Sequence, residues 1–202
     1  MAPERVLISC SNISSAILDT IPNTITIKDK EVPVDYINNR DWLLPGGARN
    51  QAMSACRTKF IMFFDGGNDY VHPQRIEFTY KAFQIKGVDL FYTNFFFSHI
   101  KFEMFKDLGD IYQITDFPRG HCQLISKEPI TKGHVAINVD EVFWKRGLRF
   151  SEEMRMAEDC SFGIECLLKG CGLYATEKKL MVYKAHTLSE NFEECKECSP
   201  IA

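Results

Sequence analysis

Along this 202-residue chain the spacing of apolar and polar positions switches repeatedly between strand-like runs and helical periods. Residues 5–9 (RVLIS) predict a first strand. Ser11 and Asn12 then offer a cap before Ile13, Ala16, Ile17 and Ile21, which recur at helical spacing. Residues 24–27 and 32–37 are rich in β-branched side chains and predict two more strands, the second running into the turn-forming Asn38-Asn39-Arg40-Asp41. A helix is predicted over 47–57, a fully buried strand over 60–64, and a helix over 73–86 opened by its proline. Residues 88–94 read as another strand, and Phe95-Phe96-Phe97 as core or hairpin packing rather than a stacking platform. In the second half, 118–121 and 132–134 read as polar loops and 139–144 as an amphipathic segment. Residues 157–169 predict a helix, with Gly170 as its stop. Alternation of this kind predicts an α/β fold with a mostly parallel central sheet flanked by helices.

The chemistry concentrates where the 60–64 run ends, in Asp65-Gly66-Gly67-Asn68-Asp69. In parallel sheets ligands gather at the carboxyl ends of strands, and oxygen ligands on a glycine-containing turn suit Mg²⁺ or Mn²⁺, hence a diphosphate. The same residues also suit an ordinary polar turn. A second acidic pair, Glu158-Asp159, falls in the first turn of the last predicted helix, where the helix dipole alone would favour it.

Composition narrows the choices. A chain of this length with 45% hydrophobic residues is enough for one compact domain, expected over 1–190 with an acidic tail over 191–202. A formal net charge of −3 argues against a general nucleic-acid binder. No apolar run reaches transmembrane length and the N-terminus lacks a signal-peptide layout, so a soluble, cytoplasmic protein is expected. Six of the eight cysteines are scattered singly, as buried reduced thiols are. Cys195 and Cys198 have zinc-knuckle spacing but no second pair beside them. Neither a P-loop nor a Gly-x-Gly-x-x-Gly motif occurs, which removes local support for kinase and dehydrogenase readings.

Four segments then line up in order: Pro45-Gly46-Gly47-Ala48-Arg49-Asn50-Gln51-Ala52, the acidic turn with Pro73 beyond it, Glu158-Asp159, and the closing Tyr183-Lys184-Ala185-His186-Thr187-Leu188-Ser189. In this arrangement the sequence resembles the family-2-type nucleotide-sugar glycosyltransferases of the GT-A (Rossmann-like) fold, compact members of which are encoded by some large DNA viruses as well as by bacteria. It departs from the family's Asp-x-Asp-Asp pattern by an extra residue and by Asn68 in place of a carboxylate.

The resemblance implies a metal-dependent, inverting glycosyltransferase that moves a sugar from a nucleoside-diphosphate sugar, UDP-sugar first, to a hydroxyl of a glycan or other acceptor. It implies Asp159 as general base with Glu158 supporting it. A Mn²⁺ or Mg²⁺ would be held by Asp65, Asn68 and Asp69, with His186 an added ligand. Ser9, Cys10 and Ser11 would contact base and ribose, Asn38 or Asn39 the base, and Arg49 and Asp65 the nucleotide or its phosphates. A non-catalytic nucleotide-sugar or carbohydrate-binding domain with a degenerate metal motif is the alternative. A sugar-nucleotide pyrophosphorylase would need a glycine-rich loop after the first strand, which Ser9-Cys10-Ser11-Asn12-Ile13 does not provide.

Overall fold

A computed structural model describes residues 1–11, 13–65, 70–97, 111–114, 135–155 and 157–183. The N-terminal strands form a three-stranded sheet. β1 (Val6–Ser11) lies parallel to β3 (Lys30–Asn39), with Val6 opposite Val34 and Ser11 opposite Asn39, and β2 (Thr24–Ile27) pairs antiparallel with β3. Lys28 and Asp29, both at positive φ, make the two-residue turn of the β2–β3 hairpin, because two left-handed residues match the twist of the flanking strands. The helix expected after β1 shrinks to one turn, α1 (Ser15–Leu18), which buries none of its residues. Without a buried face so short a helix has little to sustain it.

The remaining strands form a six-stranded sheet in the order β4-β8-β6-β9-β5, with β7 also on β9. Here β4 is Phe60–Met62, β5 Tyr70–Val71, β6 Leu90–Phe97, β7 Ile111–Ile114, β8 Ala136–Asn138 and β9 Leu173–Tyr183. Only β6 and β9 run parallel, while β4–β8, β6–β8, β5–β9 and β7–β9 are antiparallel. The expected mostly parallel central sheet is therefore corrected to two mixed sheets. An apolar run reports burial on both faces, not strand direction: all of β8 is buried although it opposes both neighbours. The 60–64 run is likewise not fully buried. β4 is an edge strand of the sheet, its residues are half-covered, and Phe64 is exposed.

Helical segments cover this framework. α2 (Pro45–Ala55) begins two residues earlier than expected, with Pro45 in the first turn where its missing N–H costs nothing. α3 (Arg75–Ala82) starts beyond Pro73, which stands in the preceding turn. The amphipathic 139–144 segment is a π-helical turn, Asp140–Lys145, and α4 (Glu158–Leu168) follows a left-handed Ala157. The main core joins Met53 of α2, Leu90 and Tyr92 of β6, Ile137 of β8, Phe162 of α4 and Leu173 of β9, all essentially without exposure. Among the described residues, no helix is long and apolar enough to cross a membrane.

Candidate functional site

The Gly-Gly-Ala-Arg-Asn segment docks α2 against the chain that leads into α4. At Gly46 a Cβ would stand 1.9 Å from the Ser151 carbonyl oxygen, so only glycine permits this approach. One turn on, Asn50 bonds the main chain of Phe150 in both directions: Nδ2 donates to its carbonyl at 2.9 Å and Oδ1 accepts from its N–H at 2.9 Å. The Asn50 Nδ2 also donates to Glu152 at 2.8 Å. Buried polar groups need such partners, and Asn50 finds them a hundred positions away in sequence.

Between Gly46 and Asn50, Arg49 points into the junction and is only 7% exposed. Its guanidinium forks. Nη1 pairs with Glu158, buried at the start of α4, and Nη2 reaches the Asp65 carboxylate beyond β4 at 3.0 and 3.3 Å. The guanidinium carbon also lies 5.4 Å from the centre of the Phe150 ring, which stacks on Phe162 of α4 and meets Phe63 edge-on. Burial works against the charge on Arg49, but Asp65, Glu158 and Asp159 outweigh it, so the guanidinium is held above its ordinary pKa. Three carboxylates thus act on this one guanidinium, and the Asp65 side chain remains 50% exposed at the rim.

Glu158 and Asp159 are adjacent in sequence and differently placed. Glu158 turns inward to Arg49, whereas the half-buried Asp159 accepts the Cys160 N–H at 2.8 Å. The Asp159 contact satisfies one of the open N–H groups of the first helical turn. Beneath α4 the Tyr92 hydroxyl is buried with no hydrogen-bond partner among the described residues. Burial, helped by Cys166 and Asp159, keeps it neutral far above the ordinary tyrosine range.

At the ends of β1 and β3 the expected base-contacting residues gather around Ile13. Asn38 is spent on the main chain: Oδ1 accepts the Ile13 N–H at 3.3 Å and Nδ2 donates to its carbonyl at 2.9 Å. The Asn39 Nδ2 donates to the Cys10 carbonyl at 3.0 Å, which leaves Oδ1 without a partner among the described residues. The Ser9 hydroxyl is buried and equally without one, whereas Ser11 accepts the Leu43 N–H at 3.2 Å. Cys10 lies 3.3 Å from the Ile37 carbonyl, and burial raises its thiol pKa. Next to Leu43, Trp42 is 77% exposed, an aromatic face whose only sequence signal was its placement in a polar loop.

Arg49, Asp65, Glu158 and Asp159 are thus brought together, and Ser9, Cys10, Ser11, Asn38 and Asn39 form a second group. Asn68, Asp69 and His186 lie outside the described residues. Asn50 and Phe150, which hold the first group in place, escaped the sequence reading: Asn50 was visible only as part of a motif, and Phe150 is a partner that folding alone supplies.

No protein-family model and no curated protein matches the chain. Its fold is similar to that of Staphylococcus aureus TarS. Over 90% of this chain it matches TarS residues 1–349 in complex with UDP-GlcNAc, with a TM-score of 0.63 at 15% identity, and covers 50% of that chain. Against the same fragment with UDP the coverage is 96%, the TM-score 0.63 and the identity 16%, with 55% of that chain covered. The chain therefore spans about half the length of these structures, and the likeness is one of fold.

Proposed function

We propose that this chain is a metal-dependent, inverting glycosyltransferase domain that transfers a sugar from a UDP-sugar to a hydroxyl acceptor. The carrying observation is the Arg49 clamp, which gathers Asp65 and Glu158 from separate motifs, with Asp159 next to them, in a fold similar to that of a UDP-GlcNAc-bound structure. The half-exposed Asp65 offers one carboxylate to a divalent cation, and among the described residues no group of three or more metal-ligating side chains is gathered, so the rest of the set would come from the residues that follow in the acidic turn and from the closing segment. Asp65 would hold the ion, together with Asn68, Asp69 and His186. When bound, such an ion supplies charge stabilisation for the departing diphosphate.

The chain's own groups do the rest. Asp159 takes the proton of the acceptor hydroxyl as the new glycosidic bond forms, and Glu158, fixed by Arg49, keeps the start of α4 in place. Arg49 acts as a positioning residue, with Nη1 on Glu158 and Nη2 on Asp65. With Nδ2 on Cys10, Asn39 presents a carbonyl oxygen, an acceptor suited to the imide N–H of uracil; this supports UDP over nucleotides of cytosine.

Two variants test the assignment against a panel of UDP-sugars with Mn²⁺. Asp65→Ala should weaken Mn²⁺-dependent UDP binding. Asp159→Asn should keep that binding and lower sugar release or transfer by a factor on the order of 10²–10⁴. Near-parental turnover by folded Asp159→Asn would remove it as the base. UDP-sugar binding with no turnover by the parent chain would instead establish a non-catalytic binding domain.

A further inference from the structure

The C-terminus of α4 is capped by a loop whose two contacting side chains are both cysteines. Gly170, at φ 73°, turns the chain into the left-handed region. Its N–H donates to the Leu167 carbonyl at 3.0 Å, and the Cys171 N–H donates to the Cys166 carbonyl at 2.9 Å. These two bonds define a Schellman cap, in which the side chains of the third-last helical residue and the second residue beyond the cap meet. In most proteins that contact is apolar. Here it joins Cys166 and Cys171, both free, both buried in the main core cluster, at 0% and 5% exposure.

The backbone bond between these two residues sets the distance between their α-carbons. A disulfide needs that distance to be about 4.4–6.8 Å, the range that a direct N–H···O=C bond between the same residues imposes. Arg146 lies over the same turn, its Nη1 donating to the Lys169 carbonyl at 2.8 Å. The thiol of Cys171 is held below its ordinary range, chiefly by donation from Cys166 and further by Arg146, against the effect of burial. The same contact pushes Cys166 up. Leu168 is 81% exposed and Lys169 and Gly170 are open to solvent, so fraying of one turn uncovers Cys171.

We propose that Cys166 and Cys171 form a redox-active dithiol site that closes to a disulfide across the α4 cap on reaction with a small disulfide oxidant such as glutathione disulfide. The thiolate of Cys171 attacks one glutathione sulfur and expels the other glutathione as thiolate, giving a mixed disulfide. Cys166 then gives up its proton to the released glutathione thiolate and attacks the Cys171 sulfur. The Cys166–Cys171 bond forms, the second glutathione leaves, and two protein thiols have been oxidised while one glutathione disulfide is reduced to two thiols. Closure staples the last turn of the helix whose first turn carries Glu158 and Asp159, and the site stands independently of the transferase reading.

The full chain should be equilibrated in glutathione buffers from reducing to oxidising, the remaining thiols blocked, and the tryptic peptides weighed. Cleavage after Lys169 separates the two cysteines, so the disulfide appears as a linked pair of peptides. A Cys160→Ser background removes the other thiol of the first peptide. The linked pair should accumulate before any other intramolecular disulfide, and the melting temperature of the oxidised form should rise by a few degrees, about what 1 kcal/mol moves a domain of this size. Cys171→Ser should abolish that rise. Recovery of Cys166 and Cys171 as blocked free thiols at the oxidising end, or an unchanged rise in Cys171→Ser, would overturn the proposal. Should the serine variant fail to fold, the peptide map of the parent chain decides alone.

Discussion

Around Arg49 the side chains hold one another in the interior, whereas around Ile13 they hold main chain at the surface. The first group spans α2, the end of β4 and the start of α4, and its central ion pair has both partners at less than a tenth exposed. The second group is held through the exposed Asn38 and half-covered Asn39 amides at the end of β3, which bond the main chain of Ile13 and Cys10. Removing one member of a buried pair strands a charge away from water, while removing an exposed amide returns its partners to solvent. The α2–α4 junction is therefore pre-organised, and the strand-end loop is the adaptable half of the site.

The largest effect should come from Arg49→Met, which leaves Glu158 buried and unpaired. Denaturant unfolding should show a loss of about 3–5 kcal/mol, and a loss below about 1 kcal/mol would mean that the junction opens to water and is no more rigid than the loop. Asn50→Ala should cost less, about 1–3 kcal/mol, since the Phe150 N–H and carbonyl lose their partner but no charge is stranded. Combined with Arg49→Met it should be non-additive, because both changes release the same segment; strict additivity would separate the ion pair from the docking contact. The smallest change belongs to Asn38→Ala. Stability should fall by less than about 1 kcal/mol while amide exchange accelerates in the loop around Ile13 and stays unchanged in α4. Equal acceleration in α4 would erase the contrast between the two regions.

Much of the local structure was legible because it rests on local rules. The 24–27 strand, the start of α4 at its acidic pair and its stop at Gly170 follow from β-branching and capping chemistry. The short α1 was overestimated, because apolar spacing cannot report whether a surface exists to bury it. Residues of the acidic turn were singled out by type. What surrounds Asp65 depended on Arg49, a neighbour sixteen positions upstream, and on Glu158, more than ninety downstream.

From the sequence alone came the element types, the α/β class, the excluded kinase and dehydrogenase motifs, and the acidic and Gly-Gly-Ala-Arg-Asn segments as places to look. Those are properties of short windows, where backbone preference and periodicity act directly. Tertiary structure alone decided that the sheets are mixed, that Glu158 turns inward while Asp159 stays at the helix terminus, that Asn38 is spent on Ile13, and that Cys166 meets Cys171. Strand direction, pairing and side-chain partners are set by contacts between residues distant in sequence. Their free energy depends on which surfaces exclude water together, and no local pattern encodes that.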